Sequence, residues 1–265
     1  MKLCHGVPVS VPYDKTVFDF PKYLTPKTRA IIINHPHNPR GSVLSQAELA
    51  FLHELAEKHN LFLISDEAYS DFLDDESFIS CGVGDPAKSH TVVCNSMSKN
   101  YGMSGWRIGY LIANAGFIDQ VLKINQHLIT CPATILELYV LKHFHDILAI
   151  TKPQIRAVVQ TRRKLAGYMK EIGLTALPGD ATFYFFVSTG TTSLTSEEFC
   201  LRLLREHKIS VVPGIGYGRS CDRFMRVSVG TESWERVTHA LRTIKALIDE
   251  TTPASARASQ AAGAR

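Results

Sequence analysis

RAIIINHPHNPRGSVLSQAELAFLHELAEKHNLFLIS, residues 29–65, together with TVVCN at 91–95, decides the fold class. The run RAIII (29–33) is apolar and β-branched, as a buried strand requires. Pro36, Pro39 and Gly41 in NHPHNPRG (34–41) then stop any regular element, because proline lacks a backbone N–H and fixes its own φ. A helix is predicted from Ser45, whose hydroxyl can cap the first turn while Glu48 completes a Ser-x-x-Glu capping box. Leu49, Leu52, Leu55 and Ala56 supply its apolar stripe, and it gives out near Asn60. LFLIS (61–65) and TVVCN read as further, continuously apolar strands. Strand, helix, strand with such strands predicts an α/β fold whose parallel sheet is covered on both faces.

Outward from this unit, residues 117–147 read as helices interrupted at Cys131–Pro132, and a long basic helix follows Pro153 to about Glu171. FYFFV (183–187) and RFMRVSVG (223–230) then read as strands, with helices at about 196–206 and 232–248. This block is smaller and more alternating, as expected of a separate α/β domain. The predicted organisation is a large domain over 1–150 with a mostly parallel sheet flanked by helices. A small C-terminal domain over 151–250 includes the long connecting helix. A disordered tail over 251–265 has no large apolar residue.

Composition narrows the function. The chain has 265 residues, 29 Lys+Arg against 25 Asp+Glu, a net charge of +4 and 45% apolar residues. That excludes a disordered chain, collagen and a membrane bundle. The charge is too small to predict a nucleic-acid partner, and the apolar runs are strand-sized, so no membrane partner is expected. Gly6, Pro8 and Pro12 interrupt any apolar signal segment, which points to a cytoplasmic chain. Its six cysteines (4, 81, 94, 131, 200, 221) form no CxxC pair and are expected to be reduced, mostly buried apolar groups. The 11 histidines show no ligand spacing, so no metal site is predicted.

Four segments bear chemistry. Asp66 opens DEAY (66–69) at the carboxyl end of a strand, where open α/β sheets bind ligands. Its carboxylate could hold a cation or a protonated ring nitrogen, or simply cap a helix. Lys99, in SMSK after the next strand, is a candidate Schiff-base amine if desolvated and a surface residue otherwise. Ser96 and Ser98 beside it are hydroxyl donors suited to an anion. Arg107 lies in GWRIGY between Gly105 and Gly109, which let backbone approach closely; its guanidinium fork suits phosphate or carboxylate, or it is a surface residue beside turn glycines. Arg226, inside FMRVSVG, needs an anionic partner if its face is buried: a structural carboxylate or a substrate carboxylate.

In their order and spacing these segments resemble the class I/II aminotransferases, the aspartate aminotransferase-like branch of fold-type I pyridoxal-phosphate enzymes. HPHNPRG (35–41) is similar to the family's N-P-x-N-P-T-G, DEAY to its D-E-x-Y, and SMSKNYGMSGWRIGY (96–110) to its cofactor-lysine signature. PGIGYG (213–218) and RVSVG (226–230) resemble its two late motifs, and the likeness runs from about Gly6 to Ala246. The resemblance implies a transfer of an amino group between an amino acid and a 2-oxo acid, with pyridoxal 5'-phosphate as cofactor. Lys99 would form the internal aldimine and shuttle the substrate proton, and Asp66 would pair with the pyridine nitrogen. Asn38 and Tyr69 would donate to the ring 3-oxygen, while Ser96, Ser98 and Arg107 would hold the phosphate. Arg226 would clamp the substrate carboxylate, and Ile215–Tyr217 would border the substrate side chain. A homodimer, or a complementing N-terminal half, is the implied partner.

Two departures stand in the first motif: His35 for the usual Asn and Arg40 for the usual Thr. Arg40 is expected to face solvent, the alternative being a new cation beside the pocket that favours an acidic substrate. The family also carries a long N-terminal stretch before the point matching Gly6. It supplies a glycine-containing helix terminus for the phosphate, an aromatic residue that stacks on the ring and an arm that grips the partner. None is read in residues 1–34, so the large domain is expected to be partial, with apolar sheet faces exposed. A truncated or split enzyme, or a degenerate non-catalytic module, would each look this way. Persistence of the catalytic set favours the first two. Elimination or cyclisation with the same cofactor is the other enzymatic alternative.

Overall fold

The structure, a computed structural model, describes residues 5–73, 78–85 and 87–255. In its first sheet β1 (Ala30–Asn34), β2 (Phe62–Asp66) and β3 (Thr91–Ser96) run parallel, and β4 (Gly109–Ile112) joins antiparallel to β3. The register sets Asn34 beside Asp66 and Asp66 beside Cys94, so β1 and β2 end level and β3 runs on two residues to Ser96. Between β1 and β2 runs α1 (Gln46–Lys58), which starts as the capping box predicts. Ser45 Oγ accepts from the Glu48 amide at 3.3 Å, and the Ser45 amide donates to the Glu48 carboxylate at 2.8 Å. Leu49, Leu52 and Leu55 of α1 bury Ile31, Ile33 and Leu63 of the sheet.

The opposite face corrects the expectation of a sheet covered on both sides. Side chains alternate along a strand, so Ile32 and Phe62 point away from α1 and are 48% and 40% exposed. On that side α3 (Ala115–Leu128) touches Phe62 through Phe117, with ring centroids 5.1 Å apart, yet no residue of α3 is buried. The expected exposure of apolar sheet surface is present.

Next, α4 (Thr134–Glu171) spans 38 residues as two helical segments that join at a kink at His143, rather than parting at Pro153. It bends at His143 (φ −111°, ψ 20°) and carries Pro153 within it. The missing N–H of a proline removes one ladder bond, and packing of Thr151, Ile155 and Val159 along one side of the helix outweighs it.

The second sheet is antiparallel in the order β5 (Tyr184–Ser188), β7 (Phe224–Ser228), β6 (Val212–Pro213). With α5 (Ser196–His207), α6 (Trp234–Thr251) and the end of α4 it encloses the largest core, centred on Leu165, Phe199, Leu203, Met225 and Leu241. The alternation predicted here is absent in β5, where Tyr184 to Val187 are all buried. Phe185 and Val187 meet the helices, whereas Tyr184 packs with Tyr69 and Phe72. Of the tail expected over 251–265, Thr251 closes α6 and Thr252 is buried; residues 256–265 lie outside the described residues.

The two halves meet along a backbone seam. The Ala181 amide donates to Gly41 O and the Thr182 amide to Phe72 O, both at 2.9 Å. Gly179 sits so close to Gly41 that a Cβ on it would collide with backbone of residues 40–42. Arg40 donates through Nε to Pro178 O at 3.1 Å, so the departure at this position is a half-buried clamp rather than a solvent-facing cation. Behind the seam Arg162 of α4, almost fully buried, donates to Gly179 O at 2.5 Å and to Tyr184 O at 3.2 Å. Burial lowers its guanidinium to about 10.

Cys81, Cys200 and Cys221 are buried, Cys94 is half-buried and Cys131 exposed, all as free thiols. Burial pushes the Cys81 and Cys200 thiols up to about 12, which makes them poor nucleophiles. Among the described residues no group of three or more His, Cys, Asp or Glu side chains could hold a metal ion, and no helix is long and apolar enough to cross a membrane.

Candidate active site

Because β1, β2 and β3 run parallel, the residues after them share one edge of the sheet. After β1, Asn34 bridges outward: its Nδ2 donates to Asp66 O at 3.0 Å and its Oδ1 accepts from the Asn38 amide at 2.5 Å. After β2, Asp66 Oδ1 accepts from the Ala68 amide at 3.2 Å, closing a turn with the carboxylate exposed. No helix starts there, which removes the helix-cap reading of Asp66. After β3 comes the single turn α2 (Met97–Asn100), capped by Ser96, whose Oγ accepts from the Ser98 amide at 3.1 Å. This turn carries Lys99. Asn100 ties it to the neighbouring turn by donating to Ser70 Oγ at 2.8 Å.

Tyr69 leaves the β2 turn and is buried among Phe72, Phe183 and Tyr184. Its hydroxyl lies 3.2 Å from that of Tyr184. Burial, with the Tyr184 hydroxyl beside it, pushes the Tyr69 phenol well above its ordinary range. Lys99 Nζ stands 5.9 Å from the centroid of the Phe183 ring, on the same aromatic cluster.

Arg226 crosses from the second sheet. Its Nη1 donates to Asn38 Oδ1 at 3.1 Å, and the guanidinium lies 4.3 Å from the Tyr184 ring centroid and 5.8 Å from that of Tyr217. Its Nε is buried with no hydrogen-bond partner. An amide oxygen and aromatic faces bring no negative charge, so this cation stands ready for an anion.

Arg107 is placed differently. It is exposed, in the left-handed region at φ +58°, and donates to Ser104 O at 3.0 Å. It stays close to α2, because Gly109 pairs with Ser96 and the Met97 amide donates to Ile108 O at 3.1 Å. Gly109 serves close approach as expected, since a Cβ there would stand 2.8 Å from Asn95 O, but Gly105 faces open space.

The structure therefore joins Asn38, Tyr69 and Arg226 through Tyr184 and sets Lys99 against the same cluster. Asp66, Ser96, Ser98 and Arg107 share the strand edge without a described hydrogen bond to that group. Sequence reading missed Tyr184. The signal was there: a tyrosine inside the apolar run FYFFV must find a partner for its hydroxyl.

A sheet whose three parallel strands end on one side beside a lysine-bearing turn, and which receives a half-buried arginine from a second sheet, has the architecture of an aminotransferase. The aromatic aminotransferase of Pyrococcus horikoshii superposes with a TM-score of 0.82 at 29% identity, over 90% of this chain and 64% of that one. For the aspartate aminotransferase of Thermotoga maritima the values are 0.79, 30%, 88% and 60%. In sequence, the chain is 34% identical to an aspartate aminotransferase of Pyrococcus abyssi, over 94% of this chain and 66% of the relative. The sequence model of the family "Aminotransferase class I and II" matches residues 1–244. The chain belongs to that family. It spans about two thirds of the length of the curated relatives it matches.

Proposed function

We propose that this chain carries the catalytic lysine and the substrate-carboxylate anchor of a pyridoxal-phosphate-dependent aminotransferase acting on amino acids and 2-oxo acids. The observation that carries the reading is the Arg226–Asn38 contact. It brings a half-buried cation, its Nε buried and unpartnered and with no described anion against it, to the strand edge that bears Asp66, Tyr69 and Lys99. The donor set fits the cofactor. Asn38 accepts from Arg226 through Oδ1, which leaves Nδ2 free to donate to the ring 3-oxygen, with Tyr69 as second donor. The Asp66 carboxylate would pair with the ring nitrogen, and Ser96, Ser98 and Arg107 would hold the phosphate.

Pyridoxal phosphate, when bound, supplies an electron sink for charge developing at the substrate α-carbon. The chain does the rest. Arg226 would hold the substrate carboxylate by a bidentate fork and so aim the α-C–H bond. Lys99 Nζ, on a one-turn helix, would take that proton and return it elsewhere. The relatives described above are all called aminotransferases, which supports transfer over elimination.

Asp66 is exposed, so water competes for its carboxylate, and cofactor affinity of this chain by itself is expected to be low. The test is incubation with excess pyridoxal phosphate, borohydride reduction and peptide mass mapping. The expected result is a label on Lys99 that Lys99→Arg abolishes. A label scattered over surface lysines with Lys99 unmarked would defeat the reading.

A further inference from the structure

We propose that Tyr184 is a positioning residue that fixes the direction in which Tyr69 donates its proton and couples that donation to the occupancy of Arg226. The inference rests on the function proposed above and deepens it. Tyr184 is held from every side. Its carbonyl accepts from buried Arg162 at 3.2 Å, its amide donates to Thr182 Oγ1 at 3.2 Å, and its ring lies 4.3 Å under the Arg226 guanidinium. Its hydroxyl reaches Tyr69 at 3.2 Å, and both residues are only 6% exposed.

Proton counting then sets the roles. Each phenol has one proton to give. If Tyr69 donates to an oxygen of a ligand, it can only accept from Tyr184, so Tyr184 must be the donor of the pair. The cation over the Tyr184 ring draws density from it and makes its hydroxyl the stronger donor. A donor that is itself accepting a hydrogen bond is strengthened in turn. The chain Arg226, Tyr184, Tyr69 thus runs in one direction. A carboxylate bound to Arg226 would neutralise the cation, weaken Tyr184 as a donor and slacken the bond that Tyr69 makes. The other charged or titratable groups around the pair are Asp66, Lys99 and Tyr217, and none is described as hydrogen-bonding either hydroxyl.

Tyr184→Phe keeps the ring beneath Arg226 and removes only the oxygen. The first measurement uses the full chain without cofactor: proton NMR with tyrosine labelled at Cζ, read for slowly exchanging phenolic hydroxyls. The wild type should show a protected hydroxyl of this pair, lost in both Tyr184→Phe and Tyr69→Phe. The second uses chain loaded with pyridoxal phosphate. A weaker donor stabilises the anionic ring oxygen less, so the pH midpoint of the visible absorption change should move upward by about half a unit in Tyr184→Phe. Adding propionate, an unreactive carboxylate, should raise the wild-type midpoint and leave the Tyr184→Phe midpoint nearly unmoved.

Equal midpoints and equal propionate responses in the two proteins would overturn the proposal, even if Tyr184→Phe is less stable. So would the absence of a protected hydroxyl. If no cofactor loads on Lys99, the function proposed above fails, while the hydroxyl measurement still decides the Tyr69–Tyr184 bond.

Discussion

Beside Asp66 the chain buries a second carboxylate. Glu67 is 2% exposed, accepts from Ser65 Oγ at 3.1 Å and from the Cys81 amide at 2.8 Å, and thereby pins the turn that carries Asp66 and Tyr69. Burial raises its carboxyl above the usual carboxylate range, only partly offset by these donors. The folded state therefore binds this proton more tightly than the unfolded one. Its contribution is complete below the ordinary carboxylate value and is lost as pH rises through the elevated folded value. Glu67→Gln removes that dependence. Urea unfolding from pH 4 to pH 8 should show the wild type losing ground relative to Glu67→Gln as pH rises. A stability gap independent of pH would contradict this. Lys99, Asp66 and Arg226 were legible as residues because each is a charge at the end of, or inside, an apolar strand. For Tyr184 the run FYFFV showed only that its hydroxyl needs a partner; that the partner is Tyr69, 115 positions earlier in the chain, was not legible.

Local signals predicted elements well where one segment contains its own cause. The Ser45–Glu48 capping box is an example, since all its atoms lie within four residues. Ser45→Ala should cost about 1 kcal/mol. The loss should appear as a lower urea midpoint with unchanged denaturant slope, because α1 covers a well-buried face of the first sheet. The reading failed where packing overrode a local rule. Pro153 was taken as a boundary, yet α4 continues through it because its buried face gains more than one backbone bond is worth. The alternation expected of β5 failed for a similar reason: aromatic residues from both halves of the chain close over the face of Tyr184 and Phe186, and the helices cover the face of Phe185 and Val187.

At the scale of the whole molecule, the contact between Gly41 and Gly179 decides whether Arg226 reaches Asn38. A Cβ on Gly179 has no room against residues 40–42, so Gly179→Ala should push the halves apart. The expected outcome is KM for the amino acid raised by about tenfold or more with a smaller change in kcat, because one charged hydrogen-bonded contact is worth about 1.5–3 kcal/mol. Unaltered KM in a folded Gly179→Ala protein would show that the seam does not set the arginine's reach. The apolar face of the first sheet, with α3 lying on it and wholly unburied, belongs to this scale too.

The succession of β1, α1, β2 and β3, the capped start of α1 and the candidacy of Asp66, Lys99 and Arg226 were legible in sequence alone, whereas Asn38 and Tyr69 entered through the family resemblance. Periodicity, turn residues and charges in apolar runs are properties of short segments, and a short segment displays them in full. The tertiary structure alone decided that α4 runs through Pro153 and kinks at His143 instead, that Arg40 clamps the seam, that Arg107 faces solvent beside α2, and that Tyr184 joins Tyr69 to Arg226. Each of these depends on groups from distant parts of the chain meeting within a few ångströms. Such a meeting is fixed only when the whole backbone has found its packing.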